Sequence, residues 1–117
     1  MKIRTQDYAK AAYPLVAEIH RSPFEAKYRT LALNFPTMIM QSGLSQAIGF
    51  LMAKSSSSSD EYALLLGHLA KLLGHPDAKI LHEVVLKSKL KEYQILSRRS
   101  LDATAWLKRY TQALLEK

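Results

Sequence analysis

A charge-free stretch of 24 residues, from Thr30 to Ala53, most constrains how this chain can fold. It interrupts a sequence of 117 residues that is otherwise rich in lysine and arginine. It is long enough for a membrane span, which needs about 20 predominantly apolar residues. However, seven hydroxyl and amide side chains interrupt the stretch, and Pro36 and Gly43 break its helical pattern. The stretch therefore predicts a bent pair of helices that is buried on most sides, and no membrane contact.

Helical periodicity also dominates the rest of the chain, and no alternating strand pattern is present. A first helix is predicted over 5–20, with Thr5 as its N-cap and a kink or restart at Pro14. Pro36 is expected to bend or end the second helix. Further helices are predicted over 60–73, 77–86 and 89–115. The sequence thus predicts an all-α, single-domain bundle over residues 1–117, with five to six helices and a long C-terminal helix.

The one low-complexity segment is "KSSSSSD", whose serines Ser55 to Ser59 are predicted to form a flexible loop. The last serines of this loop are expected to cap the following helix, since Ser58 and Glu61 have the spacing of a capping box. No internal repeat accompanies the loop, so no second domain is predicted.

The charge balance is strongly basic, with a formal net charge of +7 and a pI near 9.7. Residues 78–117 contain nine lysines and arginines against four acidic residues. Such a surface attracts nucleic acid or anionic membranes, and a merely well-solvated surface is an equally open alternative. The chain has no cysteine and its N-terminus has no apolar signal region, which favours a cytoplasmic protein.

The sequence contains no recognisable catalytic or metal-binding motif. His68, His75 and His82 recur every seven residues, but Gly74 and Pro76 interrupt the helix between them. There is no HExxH, GxSxG, P-loop or GxGxxG pattern and no paired-carboxylate cluster. We therefore expect a non-enzymatic protein without metal or cofactor, although a ribonuclease site assembled from distant residues would leave no motif.

The last helix places different residue types on different faces. Its apolar arc is predicted to comprise Leu90, Tyr93, Leu96, Leu101, Thr104, Leu107 and Leu114. Lys91, Arg98 and Arg109 gather on the other side, joined by Lys87 if the helix starts that early, and Arg99, Trp106 and Tyr110 lie on the flank between them. Arginines of this kind suit phosphate contacts. The aromatic rings either stack on bases or a partner, or simply close the edge of the bundle.

Three segments resemble a known family: "RTQDYAKAAYPLV", "AKYRTLALNFPTMIMQSGLSQAIGFLMAK" and "ATAWLKRY". Together they are similar to the small subunit of the type III-B CRISPR effector, the Cmr complex. The most specific residues are Lys27-Tyr28, Pro36, Gln41 to Leu44, Gln46-Ala47 and Phe50-Leu51. The family more often has asparagine where this chain has Ser42.

The resemblance implies a small, all-helical subunit without known catalytic activity. Copies of such a subunit stack into a filament beside the backbone subunit, and the channel between the filaments holds the guide RNA and target RNA. Charge placement, not the family, supplies the candidate RNA-binding residues. These are Arg4, Lys10, Lys27, Arg29, Lys54, Lys91, Arg98, Arg99 and Arg109, with Trp106 and Tyr110 as candidate partner or stacking residues.

Two other functions stay open at this point. One is a stand-alone helical nucleic-acid-binding or regulatory module, although no short glycine-containing turn precedes a base-reading helix. The other is a small ribonuclease, which would cleave RNA as the purified chain alone.

Overall fold

Six helices and no strand form the part of the chain that the computed structural model describes, residues 4–57 and 60–116. The helices are α1 (Arg4–Ala17), α2 (Glu25–Ser42), α3 (Leu44–Lys54), α4 (Glu61–Leu72), α5 (Ala78–Lys87) and α6 (Leu90–Leu114). The prediction of an all-α bundle with a long C-terminal helix is confirmed, since α6 has 25 residues.

The long helix α6 packs against both α1 and α2. It runs parallel to α1, because Thr5 contacts Trp106 and Tyr13 contacts Tyr110 in the same chain order. It runs antiparallel to α2, because Glu25 at the start of α2 lies beside Glu116, which directly follows the end of α6. The helices α3 and α4 pack against α2 and also contact α6, and α5 packs against α4.

Apolar side chains at helical spacing explain why these segments bury one face each. In α2 the buried residues are Tyr28, Ala32, Phe35 and Ile39, which follow one another at intervals of three or four. In α6 the buried residues are Ser100, Ala103, Thr104, Leu107 and Thr111. Leu90, the first residue of the predicted apolar arc, is not buried. It is 74% exposed because the first turn of α6 extends beyond the bundle.

The charge-free stretch forms the end of α2, the turn at Gly43 and α3. Pro36 lies within a continuous α2 and does not end it. The helix ends instead at Gly43, whose φ of +88° is a conformation that glycine adopts without strain. The prediction that the stretch is buried on most sides is met in part, since Ala32, Phe35, Ile39, Leu44, Ala47, Ile48 and Leu51 are buried. Its outward residues, including Thr37, Met40 and Gln41, are uncharged but exposed, because only every third or fourth residue reaches the core.

The N-terminal helix differs from the prediction at two residues. Thr5 is not an N-cap, because α1 already includes Arg4 and Thr5 lies inside its first turn. Its hydroxyl instead makes tertiary hydrogen bonds to α6. Pro14 does not restart the helix, which continues to Ala17 with the proline on its exposed side. The backbone N–H of Glu18 donates to Pro14 O over 3.2 Å, so the chain remains helical after the proline.

The helix α4 is capped by Asp60, whose side chain accepts a hydrogen bond from Ala63 N at 2.9 Å. The predicted cap was Ser58, and this is wrong because α4 begins only at Glu61; Ser58 and Ser59 themselves lie outside the described residues. Asp60 also accepts from Ser56 N at 2.6 Å and from Ser57 N at 3.3 Å. The bond from Ala63 outweighs partial burial and, with those from Ser56 and Ser57, lowers the pKa of Asp60 to about 2.

Candidate nucleic-acid interface

Three cations form a row along the exposed face of α6, and we call Lys91, Arg98 and Arg109 the α6 cation row. All three side chains are exposed. They are seven and eleven residues apart, which places them within about 20° of one another around the helix axis. At 1.5 Å per residue, the backbone positions are spaced about 10 Å and about 16 Å apart along the axis. The row therefore presents positive charge along one line of the surface.

In the part of the chain that the structure describes, no ion pair joins this row to a carboxylate. Within residues 4–57 and 60–116, the only ion pairs within 4 Å join His20 to Glu25 and to Glu116, each at 3.8 Å. Cations without protein partners are available to phosphate groups, which are the chief source of affinity in non-specific RNA binding.

Arg99 lies beside the row, and on its other side it lines a cleft with Leu73 after α4 and Val84 of α5. It is half-buried, and its Nε atom is shielded from solvent without a hydrogen-bond partner in the described structure. Arg98, Arg99, Ile95 and Asp102 line a shallow depression of about 290 Å³. The structure thus brings two of the predicted arginines together on one small concave surface.

The other predicted cations lie on three different helices. Lys10 is exposed on α1, Lys54 is exposed at the end of α3, and Arg29 is half-buried in α2. Lys27 is exposed at the rim of an open groove of about 640 Å³, whose apolar lining includes Phe50 and Tyr62. Arg4 begins α1, and its side chain lies outside the described residues.

Trp106 and Tyr110 hold α1 against α6. The indole Nε1 of Trp106 donates a hydrogen bond of 2.6 Å to Thr5 Oγ1. The ring of Tyr110 packs edge to face on Tyr13, with 5.3 Å between ring centroids, and lies 5.5 Å from the ring of Trp106. These contacts support the edge-closing role for both aromatics, and their stacking on bases or a partner stays a prediction.

Comparison with known proteins identifies the family of this chain. The model of the CRISPR-associated protein family Cas_Cmr5 matches residues 4–114. The chain belongs to the Cmr5 family. It is 36% identical over 116 residues to a protein of Thermus thermophilus described as "CRISPR system Cmr subunit Cmr5", with 99% of each chain covered. The crystal structure of a Cmr5 family protein from the same organism matches with a TM-score of 0.90 and covers 99% of this chain and 100% of that one.

Membership in the Cmr5 family agrees with the helical architecture. The sequence did not predict one contact of α6 with the start of α3, next to the family-specific residues Gln41 to Leu44. The hydroxyl oxygen of Tyr93 in α6 accepts a hydrogen bond of 3.0 Å from Ser45 N in the first turn of α3. Gly43, the N-cap of α3, has no side chain for this task, so Tyr93 supplies the missing acceptor. Partial burial alone would raise the pKa of Tyr93, but the hydrogen bonds from Ser45 and Leu44 outweigh it and lower the pKa.

A second contact that was missed lies inside the core of this Cmr5 family member. The Tyr28 hydroxyl and His68 Nδ1 share a hydrogen bond of 2.7 Å between α2 and α4, and both side chains are buried. Burial, together with the nearby charge of Lys71, lowers the pKa of His68 to about 4. Burial also raises the pKa of Tyr28. Both groups are therefore neutral near pH 7, and the pair is part of the packing.

The part of the chain that the structure describes contains no group of three or more histidine, aspartate or glutamate side chains able to hold a metal ion. None of the described helices is long and apolar enough to cross a membrane. Among the described residues of this Cmr5 family member, the α6 cation row is exposed and makes no ion pair within 4 Å.

Proposed function

We propose that this chain is a non-catalytic small subunit of the type III-B Cmr ribonucleoprotein complex in antiviral defence in the cytoplasm. Its α6 cation row and Arg99 support the phosphate backbone of the guide–target RNA. The observation that carries this proposal is the row of exposed arginine and lysine side chains, which make no ion pair with a carboxylate among the described residues. The name of the Thermus thermophilus relative, a subunit of the Cmr system, supports the assembly.

The geometry favours support of RNA without reading of its sequence. Phosphate contacts position a nucleic acid, whereas sequence is read through base edges. The α6 cation row is flanked by Gln94, Ala105 and Gln112 on the same exposed side of the helix. This arrangement holds a backbone along a line, and sequence recognition is left to pairing between guide and target.

The buried histidine does not point to a catalytic site. His68, the one buried histidine among the described residues, is neutral and bonded to Tyr28. General acid–base cleavage of RNA needs two titratable groups at one accessible site. A buried histidine in the core does not supply one.

The outward face of the charge-free stretch supports contacts with other protein subunits, including further copies of this chain. Met40 is 74% exposed, and the neighbouring exposed side chains Thr37, Gln41 and Gln46 carry no charge. Protein interfaces are depleted in charged residues at their centres and enriched in methionine. This uncharged face is suitable for contacts between copies in a filament beside the backbone subunit. Such contacts would leave the α6 cation row free for RNA.

The decisive experiment is charge reversal in the reconstituted complex. Arg98→Glu with Arg109→Glu should leave assembly intact and lower the affinity for target RNA about tenfold or more, since each change removes a phosphate contact and adds a repulsive charge. Lys71→Glu with Lys79→Glu is a matched control, because it reverses two other exposed cations. Unchanged RNA capture by a correctly assembled Arg98/Arg109 variant would contradict this interface.

Assembly itself is tested by purifying the tagged protein from its native host. We expect a multi-subunit complex that carries RNAs of nearly uniform length. Recovery of the protein alone, with tight binding to one duplex DNA sequence, would favour a stand-alone regulatory module instead. Cleavage of RNA by the purified chain would support the ribonuclease hypothesis.

A further inference from the structure

The turn between α5 and α6 exposes an unusual combination of side chains. We call residues 86–91, with the sequence "LKSKLK", the elbow segment. Leu86 is 65% exposed and Leu90 is 74% exposed. The lysines Lys87, Lys89 and Lys91 are all exposed, and the segment contains no acidic residue. Two leucines and three lysines therefore face outward within six consecutive residues.

The elbow segment is held in place by its own hydrogen bonds. Ser88 Oγ donates to Val85 O at 2.7 Å, and Ser88 N donates to the same oxygen at 3.3 Å. On the other side of the turn, Tyr93 N donates to Lys89 O at 2.8 Å. Val85 is buried in the core. Because the backbone is ordered on both sides, the two leucines are presented to a partner with little further loss of conformational freedom.

The chemistry of the segment favours a protein partner over RNA. Lysines alone would suit phosphates, but an aliphatic side chain cannot stack on a base as an aromatic ring does. Exposed leucines gain stability when an apolar pocket covers them. The three lysines require negative charge around that pocket, since complementary charge determines both association rate and orientation.

We propose that the elbow segment docks on an acidic surface of a neighbouring protein subunit, with Leu86 and Leu90 inserted into an apolar pocket and the lysines paired with carboxylates around it. This inference rests on the proposed function, because it assumes a multi-subunit complex. It assigns the protein contact to the elbow segment and leaves Arg98 and Arg109, farther along α6, for RNA. Lys91 belongs to both surfaces and is therefore left unchanged in the variants below.

The first test uses the wild-type protein in the reconstituted complex and a zero-length carbodiimide cross-linker, which joins lysine amines to nearby carboxylates. We expect Lys87 and Lys89 to be cross-linked to aspartates or glutamates of another subunit, in a segment that also contains apolar residues. Photochemical cross-links from the elbow segment to RNA, without carboxylate cross-links to protein, would overturn the proposal.

The second test measures competition between variant and wild-type protein for places in the complex, by native mass spectrometry. Leu86→Ser with Leu90→Ser should lower incorporation about tenfold. Lys87→Glu with Lys89→Glu should lower it similarly and weaken its dependence on salt. Ile80→Ser is the control for the leucines, because Ile80 is an exposed aliphatic residue of α5 outside both proposed surfaces. Lys71→Glu with Lys79→Glu is the control for charge.

Each variant is first checked for unchanged helicity and melting temperature, which is expected because the altered side chains are exposed. Incorporation equal to wild type by both elbow variants would overturn the proposal. Binding of the isolated protein to phosphatidylglycerol vesicles that is lost with the leucines, together with normal incorporation, would also overturn it. If the elbow proposal fails but Arg98→Glu with Arg109→Glu still impairs RNA capture, the proposed function stands. Failure of the docking proposal is therefore distinguishable from failure of the proposed function.

Discussion

Trp106 in α6 donates a hydrogen bond of 2.6 Å to the hydroxyl of Thr5, which lies 101 residues earlier in the chain. The same hydroxyl donates to Asp102 Oδ1 at 3.1 Å. Tyr110 and Tyr13 extend the contact farther along both helices. The first and last helices are thus joined by a polar relay at one end and by aromatic packing next to it, directly beside Arg98 and Arg99.

Removal of the Thr5 hydroxyl should loosen this junction. Thr5→Val leaves the partly buried N–H of Trp106 without an acceptor, and we expect the free energy of unfolding to fall by about 1–2 kcal/mol. Thr5→Ser keeps the hydroxyl and should retain most of the stability. Chemical denaturation followed by the fluorescence of Trp106, the only tryptophan, measures both variants. Equal stability of the valine and serine variants would contradict the relay.

Acidification should weaken the fold between about pH 6.5 and pH 4. Burial lowers the pKa of His68 to about 4, whereas histidine in an unfolded chain titrates near 6.5. The unfolded state therefore binds more protons in this window, so stability falls as pH falls, by up to about 3 kcal/mol. His68→Gln should flatten the slope in denaturation measured at successive pH values. A slope as steep as that of wild type would place its origin elsewhere.

Tyr93→Phe should destabilise the start of α3. The change removes the oxygen that accepts from Ser45 N, and loss of a capping acceptor costs about 1 kcal/mol. Tyr13→Phe is a control, because it removes a hydroxyl that no contact within residues 4–57 and 60–116 engages. Hydrogen exchange of the Ser45 amide should accelerate in the Tyr93 variant alone.

Gly43→Ala should be more harmful than an ordinary substitution on an exposed turn. The φ of +88° is unfavourable for any residue with a Cβ atom, and the new Cβ would lie 3.4 Å from the Tyr93 hydroxyl. We expect a loss of about 1–2 kcal/mol in the free energy of unfolding, measured by chemical denaturation. Gly67→Ala, within α4 and with open space around the added Cβ, should instead be neutral or stabilising.

Asp60→Ala should release the serine segment that precedes α4. Ser55, Ser56 and Ser57 would lose their bonds to the carboxylate, and Ala63 N would lose its capping acceptor. Faster proteolysis at residues 55–57 and a lower melting temperature are the expected results. Because the pKa of Asp60 is lowered to about 2, its contribution is present at neutral pH and is lost only as the pH falls from about 4 through 2, below the His68 window.

The isolated protein should bind RNA weakly, with a strong dependence on salt. One copy offers few phosphate contacts, so binding should be weak. The logarithm of the association constant should fall linearly with the logarithm of the salt concentration. Arg98→Ala should reduce that slope by about one, whereas Lys71→Ala should leave it unchanged. Gel-shift titration over a range of salt concentrations measures the slopes, and nanomolar binding by the monomer at physiological salt would contradict this expectation.

Much of the fold was readable from local pattern. The three- and four-residue spacing of apolar side chains predicted the helices, and the exposed positions of Lys91, Arg98 and Arg109 follow from the same geometry. Helix ends were less predictable. Asp60 and Ser58 both precede α4, and both residue types are common N-caps. The cap is Asp60 because α4 begins at Glu61.

The sequence by itself determined that the chain is helical, basic and free of catalytic motifs, because these properties depend on residue type and on spacing along one helix. Tertiary structure alone decided that Tyr93 caps α3, that Thr5 joins α1 to Trp106 and that His68 pairs with Tyr28. These pairs are 40 to 101 residues apart in the chain. No local pattern encodes such a contact, since it forms only when packing of the apolar faces brings the helices together.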